Sequence, residues 1–581
     1  MKKTIRQYMM PAGGIDADLQ GLHPVLQRVY SHRGVSKMTE LDYQFASLPS
    51  PDLMKGMTSA LVLLEGVLRN QKRILIVGDF DADGATSTAL ALRGLRALGA
   101  QHVDFLVPNR FVYGYGLTPE IVAEACKRNP DLLITVDNGI SSMDGVLAAR
   151  AAGIQVIVTD HHLPGSVLPE ADAIVNPNQP GCLFPDKSLA GVGVMFYVLL
   201  ALRKQLRHSG WFEQQALPEP NLAQFLDIVA LGTVADVVPL SQVNRTLVQQ
   251  GLLRIRAGQC CVGIRALADV SKRSLSRLIA ADFGFALAPR LNAAGRLDDM
   301  SIGIVCLLTD DPAIAHRCAV ELDAFNRERR TIEAGMQETA LSDPMLQYWA
   351  QQAEDSLPWS LCLYNESWHQ GVIGILASRI KERFHRPAIV FADATATEIK
   401  GSARSVPGLH IRDALDRIAT QHPHILDRFG GHAMAAGLTL QRVHLDTFRD
   451  LFEQEVQHWL DESDLEAALV SDGELKAAEL SLELAEILRN AGPWGQRFPE
   501  PLFNGVFFVR QQKLVGEKHL RLQLCPLQNL SQVIEAIAFN VDTAEWPNPA
   551  IEQVHLAYRL DINEYNGLRK IQLLVQHIEA A

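Results

Sequence analysis

The alternation of short apolar runs with helical stretches between residues 73 and 160 is the feature that most constrains the fold of this chain. The runs are RILIVGD, VDFLVP, DLLITVD and IQVIVTD, and stretches with helical spacing, such as ATSTALALRGLRALGA, separate them. Short buried strands that alternate with helices predict a mostly parallel, doubly wound α/β sheet. In open sheets of this kind, ligands bind beyond the carboxyl ends of the strands.

The remainder of the chain predicts further units. From Pro312 the sequence is typical of one long polar helix with proline in its first turn, which suits a rigid connector. A second α/β pattern starts at SLCLYN, and several short alternating strands near the C-terminus predict a small barrel of the oligonucleotide-binding (OB) type. The predicted division is an N-terminal extension at 1–50, a catalytic α/β domain at 51–311, a connecting helix at 312–342, a second α/β domain at 355–460 and an OB-like barrel at 465–581.

Composition bounds the class of protein without deciding its function. Hydrophobic residues make up 48% of the 581 residues, which is typical of a protein with substantial cores. The sequence has no apolar run near the ~18 residues that a membrane span needs. Its eight cysteines are scattered, so we expect a cytoplasmic protein without membrane association, and we expect a monomer. The net charge of −12 is unusual for a nucleic-acid-binding protein, but metal-binding aspartates contribute to it and a local basic groove can coexist with it.

Three aspartates follow the first predicted strand at alternate positions, Asp79, Asp81 and Asp83. In an extended chain alternate side chains point to the same side, so we expect the three carboxylates to lie together. Thr86 or Ser87 is the expected N-cap of the helix that follows. Carboxylates this close repel one another unless a cation binds among them, so the sequence predicts a metal site.

Two other motifs begin in a similar way. An EF-hand loop requires a glutamate at its twelfth position, but Leu90 occupies that position and a strand precedes the loop, which excludes a calcium site of this type. DADGAT also resembles the start of a haloacid-dehalogenase-type phosphatase. That alternative stays open from this segment alone, although it leaves the later motifs unexplained.

Further carboxylates and imidazoles are expected at the same edge of the sheet. LLITVDNGIS provides Asp137, IQVIVTDHH provides Asp160, His161 and His162, and ALGTVADVVPL provides Asp236. Oxygen ligands with one or two imidazoles suit Mn²⁺ or Mg²⁺ better than Zn²⁺. A cluster this rich predicts two ions, an arrangement suited to phosphoester hydrolysis.

DFDADG, VDNG and DHH together resemble the DHH phosphoesterase superfamily. PRLNAAGRL, WHQGVIGILASRI, GSARS and FGGHAMAAG narrow the resemblance to the RecJ exonuclease family, and GGHAMAAG is typical of the DHHA1 domain. The resemblance covers nearly the whole chain. It implies a DHH domain, a DHHA1 domain and a C-terminal OB-like barrel. The metal ligands that it implies are Asp79, Asp81, Asp83, Asp137, His161 and Asp236.

The resemblance also implies catalytic and substrate-binding residues. His162 is the expected contact of the scissile phosphate, and Asp160 is expected to orient an imidazole. The catalytic set is Asp81, Asp83, Asp137, His161, His162 and Asp236. The expected substrate-binding residues are Arg110, Arg290, Asn292, Arg296, His369, Ser402, Arg404, Gly431 and His432, with Phe111, Tyr113, Tyr115, Lys513, Lys518 and His519 as further candidates. Arg110, Ser402 and Arg404 are expected to hold a 5′-terminal phosphate, and Arg290 is expected near the scissile bond.

The activity that the resemblance implies is metal-dependent 5′-to-3′ exonuclease action on single-stranded DNA, releasing mononucleotides in recombination and DNA repair. The expected partners are single-stranded DNA, single-stranded DNA-binding protein and a helicase. One alternative is a DHH-type small-molecule phosphoesterase, such as a dinucleotide phosphatase or pyrophosphatase, which has no need of the barrel. A second alternative is a nucleic-acid-binding protein without catalysis, but the complete acidic set argues against it.

Overall fold

The computed structural model describes residues 3–9, 14, 16–109, 116–351, 357–565 and 567–581. The helices are α1 Pro24–His32, α2 Met57–Arg69, α3 Ala82–Ala97, α4 Pro119–Cys126, α5 Met143–Ala151, α6 Gly191–His208, α7 Trp211–Gln214, α8 Leu226–Ala235, α9 Gln242–Arg256, α10 Val262–Val270, α11 Ala280–Asp282, α12 Ala288–Leu297, α13 Ser301–Leu308, α14 Pro312–Leu341, α15 Pro344–Gln351, α16 Ile373–Phe384, α17 Ile411–Gln421, α18 Leu445–Trp459 and α19 Leu482–Asn490, and a π-helix spans Phe283–Leu287. The strands are β1 Thr4–Gln7, β2 Ile74–Val77, β3 Val103–Leu106, β4 Leu132–Val136, β5 Gln155–Thr159, β6 Ala173–Val175, β7 Leu361–Tyr364, β8 Ala388–Asp393, β9 Glu398–Arg404, β10 Arg428–Gly431, β11 Ala435–Gln441, β12 Ala468–Ser471, β13 Phe503–Val515, β14 His519–Pro526, β15 Ile534–Ala538, β16 Gln553–Tyr565 and β17 Leu568–Ala580.

The first domain has a five-stranded parallel sheet with the order β3-β2-β4-β5-β6. Every residue of β2 is buried, as expected of a strand covered on both faces. Ile74 and Ile76 of β2 join one core cluster with α3 and α6, while Leu75 and Val77 join a second cluster with α4 and α5. The predicted doubly wound parallel sheet is therefore confirmed, and its carboxyl edge presents the loops that carry the acidic motifs.

A single 30-residue helix, α14, leads from this domain toward the second one. The Asp311 side chain caps it by accepting a hydrogen bond from the Ala313 amide at 2.7 Å. The second domain has a mixed sheet with the order β10-β11-β9-β8-β7, in which only β7 and β8 are parallel. Arg379 of α16 forms an ion pair with Glu333 of α14 at 3.0 Å. This ion pair, together with packing, holds the connecting helix against the second domain.

The C-terminal strands close into a barrel with the order β13-β14-β15-β17-β16. The predicted barrel is confirmed, but the expectation of short strands is wrong, because β13, β16 and β17 each contain 13 residues. Strand β15 was not identified from the sequence, and it pairs in parallel with β17 to complete the closure.

The N-terminal residues join distant parts of the chain. Strand β1 pairs in parallel with β12, which lies just before the barrel domain. Behind this pairing, the buried carboxylate of Asp472 accepts hydrogen bonds from Arg33 at 2.8 and 3.0 Å and contacts His32 at 2.9 Å. The sequence predicted little regular structure before residue 50, whereas a strand and a helix are present there. In the part of the chain that the structure describes, no helix combines the length and apolar character that crossing a bilayer requires.

Candidate metal centre and substrate-facing residues

The acidic loop after β2 places its three aspartates in three different local structures. Asp79 is buried directly after the strand. Asp81 is the N-cap of α3, and its Oδ1 accepts a hydrogen bond from the Gly84 amide at 3.0 Å. Asp83 lies in the first helical turn. The expected extended spacing of the three residues is therefore wrong, but the tight turn still brings Asp79 and Asp81 to the same edge of the sheet.

The helix cap also differs from the one expected from the sequence. Asp81, rather than Thr86 or Ser87, caps α3. Thr86 donates to the Asp83 carbonyl oxygen at 3.0 Å, and the hydroxyl of Ser87 lies 3.4 Å from Oδ1 of Asp83. The two residues predicted as the N-cap lie inside the helix, and the N-cap is an aspartate of the acidic motif.

Asp83 is held at the N-terminus of another helix. Its two carboxylate oxygens accept hydrogen bonds from the amides of Gly191 at 2.6 Å and Val192 at 3.0 Å, at the start of α6. The N-terminal end of a helix favours a negative charge, because its first amides lack partners within the helix. This interaction orients a buried carboxylate that would otherwise be costly to keep ionised.

Asp137 follows β4 with a φ of +63°, in the left-handed region that few non-glycine residues adopt. Its side chain is buried against α6, where a Cβ atom at Gly191 would lie only 2.6 Å from the Cβ of Asp137. Glycine at position 191 is therefore required for the close approach. Because Gly191 has no side chain, the Asp137 carboxylate can reach the other acidic residues.

The two histidines after β5 have different surroundings. Oδ1 of Asp160 accepts hydrogen bonds from the amides of His161 at 2.7 Å and His162 at 3.0 Å, and it also accepts from Nδ1 of His162 at 2.7 Å. Nε2 of His161 instead lies 3.1 Å from Oδ1 of Asp137 and 3.5 Å from Oδ2 of Asp236. His161 therefore faces the carboxylates, while Asp160 orients His162.

Asp236 reaches the same place by a route that the sequence did not predict. The sequence predicted its place at the sheet edge but not its local structure, and it is the C-cap of helix α8. The helix runs toward the sheet edge and ends there, and Val237 then adopts a φ of +62°. The apolar run before Asp236 could not be distinguished from a buried strand by periodicity alone.

The ligand atoms form three overlapping groups, and the atoms of each group lie within 4.8 Å of one another. The groups are Asp137 with His161 and His162, Asp83 with His161 and Asp236, and Asp79 with Asp81 and Asp137. Because Asp137 and His161 each belong to two groups, the donor set suits two adjacent ion positions. Carboxylate oxygens with one or two imidazoles are the donors that Mn²⁺ and Mg²⁺ accept.

The electrostatics of these side chains favour a bound cation. Burial and the neighbouring aspartates raise the pKa of Asp83 to about 7 and raise the pKa values of Asp137 and Asp236 well above their usual range. Among the described residues, neither Nε2 of His161 nor Oδ2 of Asp236 has a hydrogen-bond partner. Buried polar atoms of this kind normally have a partner. Divalent ions would both neutralise the carboxylates and satisfy these atoms.

The two imidazoles also differ in charge. Burial, and then the positive charge of His162, lowers the pKa of His161 to about 3, which leaves the neutral form that binds metal. Burial alone would lower the pKa of His162, but the hydrogen bond and charge of Asp160 raise it to about 9. Burial alone would raise the pKa of Asp160, but the bond to His162 and the charges of both histidines lower it to about 2. The pair Asp160–His162 therefore presents a positive imidazole beside the acidic cluster.

The second domain reaches this centre through the turn between β10 and β11. The ring of His432 stacks on that of His162, with centroids 5.4 Å apart and an interplanar angle of 21°. Gly431, just before it, has a φ of +147°, and a Cβ there would lie 2.4 Å from the Ala435 carbonyl oxygen. The glycine therefore permits the tight turn that brings His432 to the first domain.

Ser402 and Arg404 lie on β9, next to this turn. Arg404 pairs with Ala435 across the sheet, and its Nη1 donates to the hydroxyl of Ser402 at 3.1 Å. Among the described residues no carboxylate forms an ion pair with Arg404, and burial lowers the pKa of its guanidinium. A Cβ at Gly374 would lie 2.8 Å from both side chains, so the first turn of α16 opens onto the arginine. A cation beside a helix N-terminus is suited to binding a phosphate.

The PRLNAAGRL segment contacts protein groups. Arg290 pairs with Asp323 of α14 at 2.7 Å. Oδ1 of Asn292 accepts a hydrogen bond from the Ala82 amide at 2.8 Å, which fixes the acidic loop. Arg296 donates to the carbonyl oxygen of Gly371 in the second domain at 3.1 Å. These bonds position the loop and the two domains, and a direct contact of these side chains with a substrate stays a prediction.

The other predicted contacts fall into three places. Nδ1 of His369 accepts a hydrogen bond from the Gly371 amide at 3.0 Å, near the same domain junction. Lys513 and Lys518 are exposed on the barrel, and His519 packs edge-on against Phe539 with centroids 5.2 Å apart. Arg110, Phe111, Tyr113 and Tyr115 lie outside the described residues.

Sequence reasoning missed two groups at the candidate site and one on the barrel. The amides of Gly191 and Val192 bind Asp83, and Gly374 opens the cradle at Arg404. Phe539, beside His519, is an aromatic side chain that is 55% exposed on the barrel. Gly374 lies within the WHQGVIGIL motif, so a signal was present for it. Backbone amides and an isolated phenylalanine carry no comparable signal.

Comparison with known families divides the chain into three matched segments. Residues 73–233 match the DHH family N-terminal domain, and residues 360–458 match the DHHA1 domain. Residues 471–577 match the RecJ OB domain. The DHH match thus includes every metal-site motif except that of Asp236, and the His432 turn and most of the barrel fall within the other two matches.

The chain is similar over nearly its full length to curated proteins described as single-stranded-DNA-specific exonuclease RecJ. The protein from Dickeya dadantii is 55% identical over 557 residues, covering 96% of each chain. The protein from Escherichia coli is 54% identical over 563 residues, covering 97% of each chain. The similarity therefore includes all three matched segments.

Solved structures give the same relationship. RecJ from Thermus thermophilus in complex with Mn²⁺ aligns with a TM-score of 0.80 at 31% identity, covering 99% of this chain and 79% of the other. The complex of that protein with Mg²⁺ aligns with a TM-score of 0.75 at 30% identity, covering 99% and 78%.

Proposed function

The chain belongs to the RecJ family of single-stranded-DNA-specific exonucleases, and on that basis we propose that it hydrolyses single-stranded DNA from the 5′ end and releases mononucleotides. The observation that carries the proposal is the contact of His432 of the second domain with His162 beside the acidic cluster. The centre takes Mn²⁺ or Mg²⁺, the ions bound by the Thermus protein. The physiological setting that we propose is recombination and DNA repair in the cytoplasm.

The residues that would hold two ions are Asp79, Asp81, Asp83, Asp137, His161 and Asp236. Ions bound there supply an acidified water as nucleophile and stabilise charge on the phosphoryl oxygens. The protein fixes these ligands in advance. The start of α6 binds Asp83, Asn292 holds the amide of Ala82, and the missing side chain of Gly191 admits Asp137.

His162 is the proposed contact of the scissile phosphate. Asp160 accepts a hydrogen bond of 2.7 Å from its Nδ1, and the proposed donor to a phosphoryl oxygen is the other ring nitrogen, Nε2. The stacked ring of His432 restricts the orientation of His162 from the side of the second domain. Asp160 and His432 thus act as positioning residues, because they determine where the donor of His162 points.

The cradle formed by Ser402, Arg404 and the first turn of α16 is the proposed site of the 5′-terminal phosphate. Arg404 lacks a carboxylate partner among the described residues. A buried guanidinium without an opposite charge is costly, so this position favours binding of an anion. The strand pairing of Arg404 with Ala435, three residues after His432, supports a position of the cradle near the metal centre. A terminal phosphate held there would allow the enzyme to act from one end only and would give the 5′-to-3′ direction.

The proposed preference for single strands follows from the contact between domains. His162 and His432 approach to 5.4 Å at the metal centre, so the two domains leave little room there for a second strand. The barrel would bind the strand farther from the cut, as OB folds do through basic and aromatic side chains. Lys513, Lys518, His519 and Phe539 are the proposed contacts. Single-stranded DNA-binding protein and a helicase are the proposed protein partners of a monomer.

The test compares polymer and small substrates in the presence of Mn²⁺. We expect hydrolysis of single-stranded DNA to far exceed that of the dinucleotide pApA or of pyrophosphate. Asp81→Ala and Asp137→Ala should each abolish DNA hydrolysis, as should a chelator. Rapid hydrolysis of pApA or pyrophosphate with intact DNA would instead support the small-molecule phosphoesterase, which the RecJ OB match disfavours.

A further inference from the structure

A cavity of about 510 Å³ lies between the catalytic domain and the barrel domain. Its walls come from α8, α9, α11, the π-helix, the last turn of α19 with the loop after it, and strand β16. Val237, the residue after Asp236, forms part of the wall, so the cavity adjoins the metal centre without sharing its ligands. The volume falls in the range of pockets that bind small molecules, about 300–1,000 Å³.

Three arginines, Arg256, Arg489 and Arg559, line this cavity. Arg559 is paired with Glu500 at 2.6 Å. Nε of Arg256 donates to the Leu278 carbonyl oxygen at 2.8 Å, so that side chain is oriented by the backbone. The side chain of Arg489 makes no hydrogen bond and no ion pair within the part of the chain that the structure describes.

Two of these cations influence each other across the domain boundary. Burial, and then the charge of Arg489, lowers the pKa of Arg256. Two carboxylates, Glu500 and Asp561, also line the cavity. Glu500 is paired with Arg559, and burial raises the pKa of Glu500. The cavity therefore has three arginines and two carboxylates, and the charge of Arg489 acts on both Arg256 and Glu500.

The cavity also offers flat apolar surfaces. Phe285 lies on the π-helix with 77% of its surface exposed, although it is a large hydrophobic residue. Trp494 also lines the cavity, but its ring is already packed by Phe498, with centroids 5.2 Å apart, and by the guanidinium of Arg33, 5.2 Å from its centroid. Phe285 therefore offers the available ring. π-helical turns occur frequently at functional sites, and exposed aromatic rings can stack on nucleic-acid bases.

We propose that this cavity binds a free nucleoside monophosphate, with its base against Phe285 and its phosphate near Arg256 and Arg489. The choice of ligand rests on the proposed function, because that reaction releases such a molecule beside the cavity. A continuous strand would require successive phosphate contacts along a groove. Here the cations surround one volume instead, which fits a single phosphate group.

The experiment measures dAMP binding to the full-length chain by isothermal titration calorimetry in EDTA, so that no hydrolysis occurs. All proteins carry Arg404→Ala, which removes the phosphate cradle near the metal centre as a second binding site. We expect saturable binding of one dAMP per chain. Arg489→Ala should weaken it about tenfold or more, as loss of a charge-assisted hydrogen bond does, and Phe285→Ala should weaken it several-fold. Arg521→Ala, an exposed arginine of the barrel outside the cavity, should leave it unchanged.

Absence of saturable binding would overturn the proposal, as would binding that neither Arg489→Ala nor Phe285→Ala affects. Displacement of dAMP by a short oligothymidylate, with the same dependence on Arg489, would assign the cavity to the DNA strand and also overturn it. Nuclease activity is measured separately with Mn²⁺. Loss of that activity with dAMP binding intact would count against the proposed function alone.

Discussion

The imidazole of His432 in the second α/β domain stacks on that of His162 in the first, with centroids 5.4 Å apart. His162 is in turn bound to Asp160 at the end of β5. Residues of two domains therefore meet at the candidate site. In the proposed reaction, the orientation of His162 and the access of the strand depend on this contact.

His432→Ala tests this contact. Loss of an aromatic pair of this kind costs ~0.5–1.5 kcal/mol, so we expect kcat on single-stranded DNA to fall roughly two- to tenfold. The metal ligands are untouched, so Mn²⁺ affinity measured by calorimetry should remain within about twofold of the wild type. His424→Ala, an exposed histidine of the same domain, is the control. Equal kcat values for His432→Ala and wild type would exclude a positioning role.

Arg404→Ala tests the phosphate cradle. Because a bond between an arginine and a phosphate is worth ~1.5–3 kcal/mol, KM for 5′-phosphorylated DNA should rise about tenfold to a hundredfold. KM for DNA with a 5′-hydroxyl should change little. Arg383→Ala, at the exposed end of α16, should resemble the wild type on both substrates. An equal effect of Arg404→Ala on both DNAs would show that Arg404 does not recognise the terminal phosphate.

Gly191→Ala tests the close approach to Asp137. The added Cβ would lie 2.6 Å from the Cβ of Asp137, so the carboxylate must move. We expect weaker Mn²⁺ binding and at least a tenfold loss of nuclease activity, given the cost of ~1 Å misplacements in active sites. Gly335→Ala in α14 meets no atom within 4 Å and should keep full activity while stabilising the helix by ~0.5–1 kcal/mol. Unchanged Mn²⁺ affinity in Gly191→Ala would disprove the steric argument.

Asp472→Asn tests the joint between the N-terminal residues and the barrel. Burial alone would raise the pKa of Asp472, but its bonds with His32 and Arg33 lower it. A lowered pKa in the folded state stabilises the protein above the unfolded pKa of ~3.9, and this contribution is lost as pH falls through the folded pKa. We therefore expect Asp472→Asn to reduce Tm by the same amount at pH 7 and pH 6. Thermal unfolding at both values checks this, and an unchanged Tm at both would contradict it.

The sequence predicted the parts of the fold that local patterns encode. Buried β-branched runs such as Ile74–Val77 identified the parallel sheet, and an uninterrupted polar stretch identified α14. Pairings between distant residues carry no local signal. The parallel pairing of Thr4 with Ala468 and the closure of the barrel by β15 could not be inferred for that reason.

The candidate site shows the same division. The motifs predicted which residues cluster at the sheet edge, and the structure brings them into three overlapping groups, whose members include Asp79, Asp81, Asp83, Asp137, His161 and Asp236. Their role as metal ligands stays a prediction. The local structures and partners of these side chains could not be inferred, because helix caps and ion pairs depend on tertiary packing. Asp236 ends a helix rather than a strand, and Arg290 is paired with Asp323.

The most direct test of the central claim follows the order in which the two ends of a single-stranded oligonucleotide are released. The DNA has a 5′-phosphate and a different fluorophore near each end, and the reaction contains Mn²⁺. The account predicts that the 5′ label appears first, in a mononucleotide, while the 3′ label stays in progressively shorter DNA. It also predicts that neither label is released in EDTA or by Asp137→Ala. Early release of the 3′ label, or release of either label in EDTA, would contradict the account.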